Sequence, residues 1–281
     1  MNSGSEPAPA EARPNATIWR LGVGLLITPT AVALAARSFP HWRLDEHLAD
    51  AAAFAGATLF PILGLTLAAM VEVRLLFALA ASVASATSLL AVALLRPAPL
   101  VTVLLVVDSA LVCLSWALGC TLGRRVQHAA HLFPACVVAA SADLVSLLSP
   151  EGPSHEIAGN EQALSVLAVW FPVPGNAAVA PALGVGDLLF MALAFGVAQQ
   201  HRLPYARCVL ACVIGTALAG VAAAWFGRAV PALVPIAAMI VLTLPGVREL
   251  RRRDRAAAHW SMLIAGAVAL AAVARTLLSG P

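Results

Sequence analysis

The sequence predicts an all-α polytopic membrane protein with about nine transmembrane helices. Of its 281 residues, 61% are hydrophobic and only 11% are charged, and the mean hydropathy is +0.90. Soluble domains are closer to half apolar and about a quarter charged. The apolar residues here fall in long runs, and helices of about 20 such residues are the usual way for a chain to cross a bilayer.

The predicted elements are bounded by arginine, acidic residues or proline. Residues 1–16 are polar and rich in proline and alanine, which is typical of a disordered tail. Nine apolar runs follow, at 17–37, 50–71, 74–95, 99–122, 129–149, 182–198, 206–226, 230–247 and 258–278. We therefore divide the chain into the following regions: the tail (1–16), N-terminal helices (17–128), a second helical region (129–247) with a long loop at 150–181, and a basic loop with the final helix (248–281).

The long loop contains an apolar stretch of its own at 164–171. This stretch is too short to cross a bilayer, and the prolines and Gly175 that follow prevent a continuous helix. We expect either an interfacial segment or a strand-forming edge near the membrane surface.

The arginines predict the orientation and the location. All 17 basic residues are arginine, which together with the abundance of alanine is typical of a GC-rich bacterial genome. With nine spans, the tail and the even-numbered loops carry twelve arginines and the other side carries five. Positively charged loops stay in the cytoplasm, so we expect a bacterial plasma (inner) membrane protein with a cytoplasmic N-terminus. The net charge of +3 is dispersed and predicts no nucleic-acid partner.

Motifs of metal and serine chemistry are absent from the sequence. The five cysteines lie in apolar runs, without a CxxC pair or zinc-site spacing. Neither an HExxH motif nor a Gly-x-Ser-Gly motif occurs. We expect no metal and no cofactor.

Two aspartates lie inside apolar runs. Asp143 is in ACVVAASADLVSLLSP and Asp187 is in ALGVGDLLFMALAFGV, and neither has an arginine within one helical turn. A carboxyl group at bilayer depth costs a few kcal/mol, so such residues usually face a protein interior or a water-filled cavity and serve a function. Two of them on neighbouring spans suggest a pair of catalytic carboxyl groups within the membrane.

Glycine accompanies the second aspartate. Gly184, Val185 and Gly186 precede Asp187 and form a GxGD motif. Glycine lets another backbone approach closely and lets helices pack tightly, which suits an acid that must meet a partner helix and a substrate. The motif alone has low specificity, because glycine is common in membrane helices.

A proline motif opens the eighth predicted span. Pro231, Ala232 and Leu233 form a PAL sequence, and PAL also occurs at 181–183. Proline has no N–H and leaves nearby carbonyl groups unpaired. This end of the span is therefore expected to be non-helical and to offer backbone hydrogen bonds to an extended peptide.

The combination of these motifs resembles the presenilin and signal-peptide-peptidase family of intramembrane aspartyl proteases. ADLVSLLSPEGP is similar to the family's first catalytic segment, GVGDLLFMALAFG to its second, and AVPALVPI to its PAL region. The resemblance covers about 139–244, so it implies a presenilin-like catalytic half. For residues 1–128 we expect only a set of membrane helices.

The resemblance implies a role for each motif. Asp143 and Asp187 would be the catalytic dyad, sharing one proton and activating water against a peptide bond. The backbone beside the dyad, and contacts to substrate, would come from Gly184, Val185, Gly186, Pro231, Ala232 and Leu233. The expected substrates are transmembrane protein segments or remnant signal peptides within the bilayer, which must unwind before cleavage; the sequence leaves open whether accessory subunits take part.

The sequence departs from the family in three ways. Ala142 stands where the family usually has an aromatic residue before the first aspartate. The aspartates fall on the fifth and sixth predicted spans rather than the sixth and seventh, and a further helix follows the PAL span. The predicted orientation places the loop between the aspartates outside, as in signal-peptide peptidase.

Two other functions fit intramembrane aspartates. A proton-coupled transporter would use them as proton or cation sites, and a presenilin-like pseudo-protease would bind membrane helices without cutting. A third buried acid, Asp108 in LLVVDSALVCLSW, has two interpretations as well. It is either a relay or an aid to substrate access, or a hydrogen-bonded residue of helix packing.

Overall fold

The computed structural model describes residues 14–42, 44–71, 74–95, 101–149, 152–175, 178–226, 230–249 and 252–279. Six of the helices in this part of the chain are long and apolar enough to cross a membrane: Trp19–His41, His47–Ala69, Leu75–Leu95, Thr102–Arg125, Ala129–Leu148 and Tyr205–Phe226. Three shorter apolar helical stretches occur at Val185–Gln200, Leu233–Thr243 and Ala258–Ala271. The predicted class, a polytopic helical membrane protein, is confirmed.

The N-terminal helices follow the apolar runs closely. They are α1 (Pro14–Ser38), α2 (Glu46–Ala69), α3 (Leu75–Leu95), α4 (Val101–Ser115) and α5 (Thr121–Arg125), with a π-helical turn (Trp116–Cys120) between the last two. The predicted tail was too long, because residues 14–16 are already helical; residues 1–13 lie outside the described part.

The segment between the two aspartates is structured. It contains α6 (Leu132–Leu148), α7 (Pro153–Gly159), α8 (Glu161–Leu167), β1 (Ala168–Pro172) and β2 (Val179–Gly184). The two strands form an antiparallel hairpin within the long loop predicted at 150–181, a small β element in a protein that is otherwise helical. Of the two expectations for 164–171, the strand holds from Ala168 onward. Valine and two aromatic residues favour extended backbone there, and Pro172 ends the run.

The remaining helices are α9 (Val185–Gln200), α10 (Tyr205–Phe226), α11 (Leu233–Thr243) and α12 (Arg252–Ser279). The sixth predicted span, 182–198, begins too early, because 182–184 belong to β2. The eighth, 230–247, is too long at both ends. Residues 230–232 are non-helical, as expected for PAL, and Gly246 has a φ of +79° in the turn that follows α11.

Helix α9 lies at the centre of the fold. It is buried on nearly all sides and contacts α2, α4, α5 and α10, with Met191 and Phe195 fully buried. Helix α6 is more peripheral and lies against α9, α11 and α12. This arrangement puts one candidate acid on the most protected helix and the other on a neighbouring outer helix.

Candidate active site

Asp187 lies in the first turn of α9, directly after the hairpin. Its Oδ2 accepts a hydrogen bond from the Gly184 N–H at 3.0 Å, and Gly184 is both the last residue of β2 and the N-cap of the helix. The first N–H groups of a helix have no partner within it, and the helix dipole favours negative charge there. The local sequence therefore orients this carboxyl group at the point where strand becomes helix.

Asp143 lies in the C-terminal half of α6 and meets the PAL segment. Its Oδ2 accepts a hydrogen bond from the backbone N–H of Leu233 at 3.0 Å. Leu233 is the first residue of α11, Ala232 is its N-cap, and Pro231 precedes it in non-helical backbone. The first N–H groups of a helix have no partner within it, and the acid accepts one of these at the start of α11.

The structure brings the two aspartates together. Helices α6 and α9 are in contact, both side chains are partly buried, and Asp143 and Asp187 interact electrostatically. Each carboxyl group also accepts a backbone N–H from the first turn or the N-cap of a helix. The arrangement can hold a charge and a proton side by side, which is the requirement for acid–base chemistry on water.

The GxGD glycines leave space rather than filling it. Gly186 is exposed, and a methyl group added there would meet no heavy atom of the described residues within 4 Å, apart from its chain neighbours and the backbone of its own helix. At Gly184 the nearest atom would be Asp187 Oδ2 at 3.5 Å, an ordinary contact. Val185 between them is partly buried and contacts the core. Among the described residues, no element packs tightly against these glycines as expected, and the space beside Gly186 is open.

Tight packing of the Asp187 helix comes instead from glycines outside the GxGD motif. A Cβ at Gly119 would lie 2.5 Å from the Leu189 carbonyl oxygen, and a Cβ at Gly123 would collide with that of Leu193. On α9 itself, Gly196 faces the backbone of Cys120 in the same way. Gly119 and Gly123 have GxxxG spacing, a recognised signal of close helix contact that was present in the sequence.

Ala142 borders a cavity on the other face of α6. The cavity lies between α6 and α12, has a volume of about 900 Å³, and is lined by Ser146 and Ser261 among others. The Ala142 side chain is exposed. An aromatic ring at this position would therefore project into this cavity, whose lining does not include Asp143.

Asp108 lies apart from the pair, on α4. It is fully buried, and its Oδ1 accepts a hydrogen bond from the Trp170 N–H of β1 at 3.0 Å. This contact matches the interpretation of Asp108 as a hydrogen-bonded packing residue, but its partner is a strand and not a helix.

No group of three or more His, Cys, Asp or Glu side chains suited to a metal ion occurs in the described part of the chain. No protein-family model, curated protein or solved structure matches this chain. The site is therefore defined by its motifs and by the contacts above.

Proposed function

We propose that this protein is an intramembrane aspartyl endopeptidase that hydrolyses peptide bonds within transmembrane segments or remnant signal peptides. The observation that carries the proposal is the meeting of three separate motifs: Asp143, the GxGD aspartate Asp187, and the backbone of the PAL residue Leu233. These motifs are far apart in the sequence, and a presenilin-like site requires them to be adjacent.

In the proposed reaction the two carboxyl groups act as one unit with a single shared proton. The ionised member takes a proton from water, whose oxygen attacks the scissile carbonyl carbon. The protonated member donates its hydrogen bond to the carbonyl oxygen. The C–N bond of the tetrahedral intermediate then breaks as the nitrogen receives a proton from the dyad, which returns to its starting state.

The hydrogen bonds from Gly184 and Leu233 hold one oxygen of each carboxyl group. In this proposal the second oxygens of Asp143 and Asp187 face the water and the substrate. Fixed orientation of this kind accelerates a reaction because the reacting groups lose no freedom in the transition state.

A peptide bond inside a helix is shielded, so the substrate segment has to become extended before it is cut. Strand β2 pairs with β1 on one edge in a two-stranded sheet and runs directly into the turn that holds Asp187. A substrate strand added to the second edge of β2 would run toward the catalytic pair. The space beside Gly186 would receive its backbone.

We also propose that the chain has nine membrane segments, made of the six long helices and the three shorter apolar ones. The short segments α9 and α11 begin at the two acids, so their N-termini would lie within the bilayer and not at its surface. The arginine distribution supports a bacterial plasma membrane location with a cytoplasmic N-terminus.

The test is cleavage of a fluorescent transmembrane substrate by the purified protein in lipid vesicles. We expect Asp143→Ala and Asp187→Ala each to abolish cleavage, and Asp50→Ala, the same change at an exposed aspartate in α2, to leave it unchanged. Undiminished cleavage by either site variant would refute the dyad. Proton-coupled solute uptake that depends on both acids would instead identify a transporter. Substrate binding without cleavage by the unsubstituted protein would identify a pseudo-protease.

A further inference from the structure

A third acid is built into the fold at a position that the proposed reaction does not use. Asp108 is fully buried, and its Oδ1 accepts the Trp170 N–H at 3.0 Å. Its Oδ2 is also buried and has no hydrogen-bond partner among the described residues. An unpaired oxygen on a buried carboxyl group costs free energy. A structural role for the one hydrogen bond that Asp108 makes would explain why an acid occupies this position.

The hairpin has an irregularity at the residue that Asp108 contacts. Val169 pairs with Leu183, but Trp170 pairs with Pro181, so Ala182 is an extra residue on β2. The extra residue of a bulge disrupts the ladder locally and leaves backbone groups without their regular strand partners. Buried backbone N–H groups are almost always hydrogen-bonded. At this point the partner of the Trp170 N–H is a side chain of α4.

The bulge lies very close to the candidate active site. After Ala182 the strand continues for only two residues, Leu183 and Gly184. Leu183 is fully buried, and Gly184 donates the hydrogen bond to Asp187. A shift of β1 against β2 by one residue would turn each side chain to the opposite face. The register of the hairpin therefore determines where the Gly184 N–H, and with it the Asp187 carboxyl group, is placed.

We propose that Asp108 is a positioning residue, which fixes the bulge of the β1–β2 hairpin and thereby the orientation of Asp187. Its function is to accept a hydrogen bond and not to relay a proton. The hairpin part of this inference stands on the structure, and its consequence for cleavage rests on the proposed function.

The oxygen acceptor and the acidic proton can be separated by substitution. Asp108→Asn keeps the Oδ1 acceptor and removes the acid, whereas Asp108→Leu keeps the approximate size and removes the acceptor. A matched control is Ser115→Ala, because Ser115 lies two turns further along the same helical run, is fully buried, and also has an unpartnered oxygen among the described residues. The control removes a buried polar atom without touching the hairpin.

Two measurements on the full-length protein test the proposal. Hydrogen exchange followed by mass spectrometry reports the protection of the hairpin amides at 168–172 and 179–184. Cleavage kinetics report kcat and KM separately. For Asp108→Leu we expect hairpin exchange to be at least about tenfold faster and kcat at least about tenfold lower, the size expected for an orphaned buried donor, with KM within about twofold. Asp108→Asn and Ser115→Ala should stay within about threefold of the unsubstituted protein in both measurements.

The outcomes separate the structural part of the proposal, that Asp108 anchors the hairpin, from its functional part, that this anchoring supports cleavage. Unchanged hairpin protection in Asp108→Leu overturns the inference, whether or not the protein is a protease. Equal loss of kcat in Asp108→Asn and Asp108→Leu also overturns it, since the acid itself would then be required. Faster hairpin exchange in a protein that cleaves nothing supports the anchoring role and refutes the protease. If Asp108→Leu does not fold, Asp108→Ser replaces it, because the shorter side chain does not reach the Trp170 N–H.

Discussion

The open space beside the GxGD aspartate gives a prediction in which stability and activity change in opposite directions. Gly186 is exposed in the first turn of α9, and an added methyl group would meet no heavy atom within 4 Å. Gly186→Ala therefore introduces no clash into the folded protein. If a substrate backbone passes through this space, however, the same methyl group displaces it from Asp187.

The expected changes in stability and in cleavage rate have different physical origins. Alanine in place of glycine in a helix is worth about 0.5–1 kcal/mol, which for a chain of this size corresponds to a rise in Tm of roughly 1–3 °C. A displacement of the substrate by about 1 Å at a reacting centre costs on the order of 100-fold in rate. We expect Gly186→Ala to melt at or slightly above the temperature of the unsubstituted protein and to lose about 100-fold in kcat/KM.

The assay combines thermal unfolding in detergent with cleavage of a fluorescent transmembrane substrate. The control is Gly266→Ala on α12, another exposed helical glycine with nothing within 4 Å of an added methyl group. Gly266→Ala should show a Tm at or slightly above that of the unsubstituted protein, like Gly186→Ala, but unchanged cleavage. Full activity in Gly186→Ala would refute the reasoning that substrate approaches Asp187 past this glycine, and a fall in Tm would show that the space is not open.

Two further predictions concern how the Asp187 helix is held. At Gly196, where a Cβ would lie 2.6 Å from the Cys120 carbonyl oxygen, Gly196→Ala should lower stability by about 1–3 kcal/mol, measured as a fall in Tm. Gly22→Ala is the control, because an added methyl group there has open space, and it should not lower Tm. Equal Tm values for the two variants would contradict the close packing at Gly196. At the same end of α9, Arg124 donates hydrogen bonds to the Gln199 side chain and to the carbonyl oxygens of Ala69, the last residue of α2, and Val71, just beyond it. Arg124→Gln should cost about 2 kcal/mol, unlike Arg125→Gln at an exposed position; equal urea midpoints would contradict this.

Hydropathy predicted the helices well because a bilayer-spanning helix has a required length and must be bounded by polar residues or proline. The apolar run at 74–95, for example, corresponds to α3 (Leu75–Leu95) almost residue for residue. The run at 230–247 was predicted less accurately, because its apolar residues extend beyond the helix at both ends: 230–232 are non-helical, and the turn at Gly246 follows α11 while the sequence is still apolar.

The hairpin was predicted only in part, because strand pairing depends on two segments at once. The stretch 164–171 indicated either an interfacial segment or a strand, and periodicity cannot separate these in so short a run. The partner strand, Val179–Gly184, contains proline, alanine and glycine and has no strand signal of its own. Only the pairing of the two strands makes it extended.

The candidate site was found through its side chains, whereas the groups that orient those side chains are backbone groups. The PAL motif indicated that Leu233 lies near the dyad, but not that its N–H bonds Asp143. Likewise the partner of Asp108 is the amide of Trp170, 62 residues away. Every residue except proline carries a backbone N–H donor, so the sequence does not show which of these donors bonds a given side chain.

The most direct test of the central claim, that Asp143 and Asp187 form one catalytic pair, is the affinity of a peptide isostere with a hydroxyl group in place of the scissile carbonyl. Such a compound imitates the tetrahedral intermediate and contacts both carboxyl groups at once. Calorimetry measures this affinity for the unsubstituted protein, Asp143→Asn, Asp187→Asn and the double variant. We predict that each single variant loses at least about 100-fold in affinity and that the double variant loses little more, because residues that act as a unit are not additive. Unchanged affinity in either single variant would contradict the account.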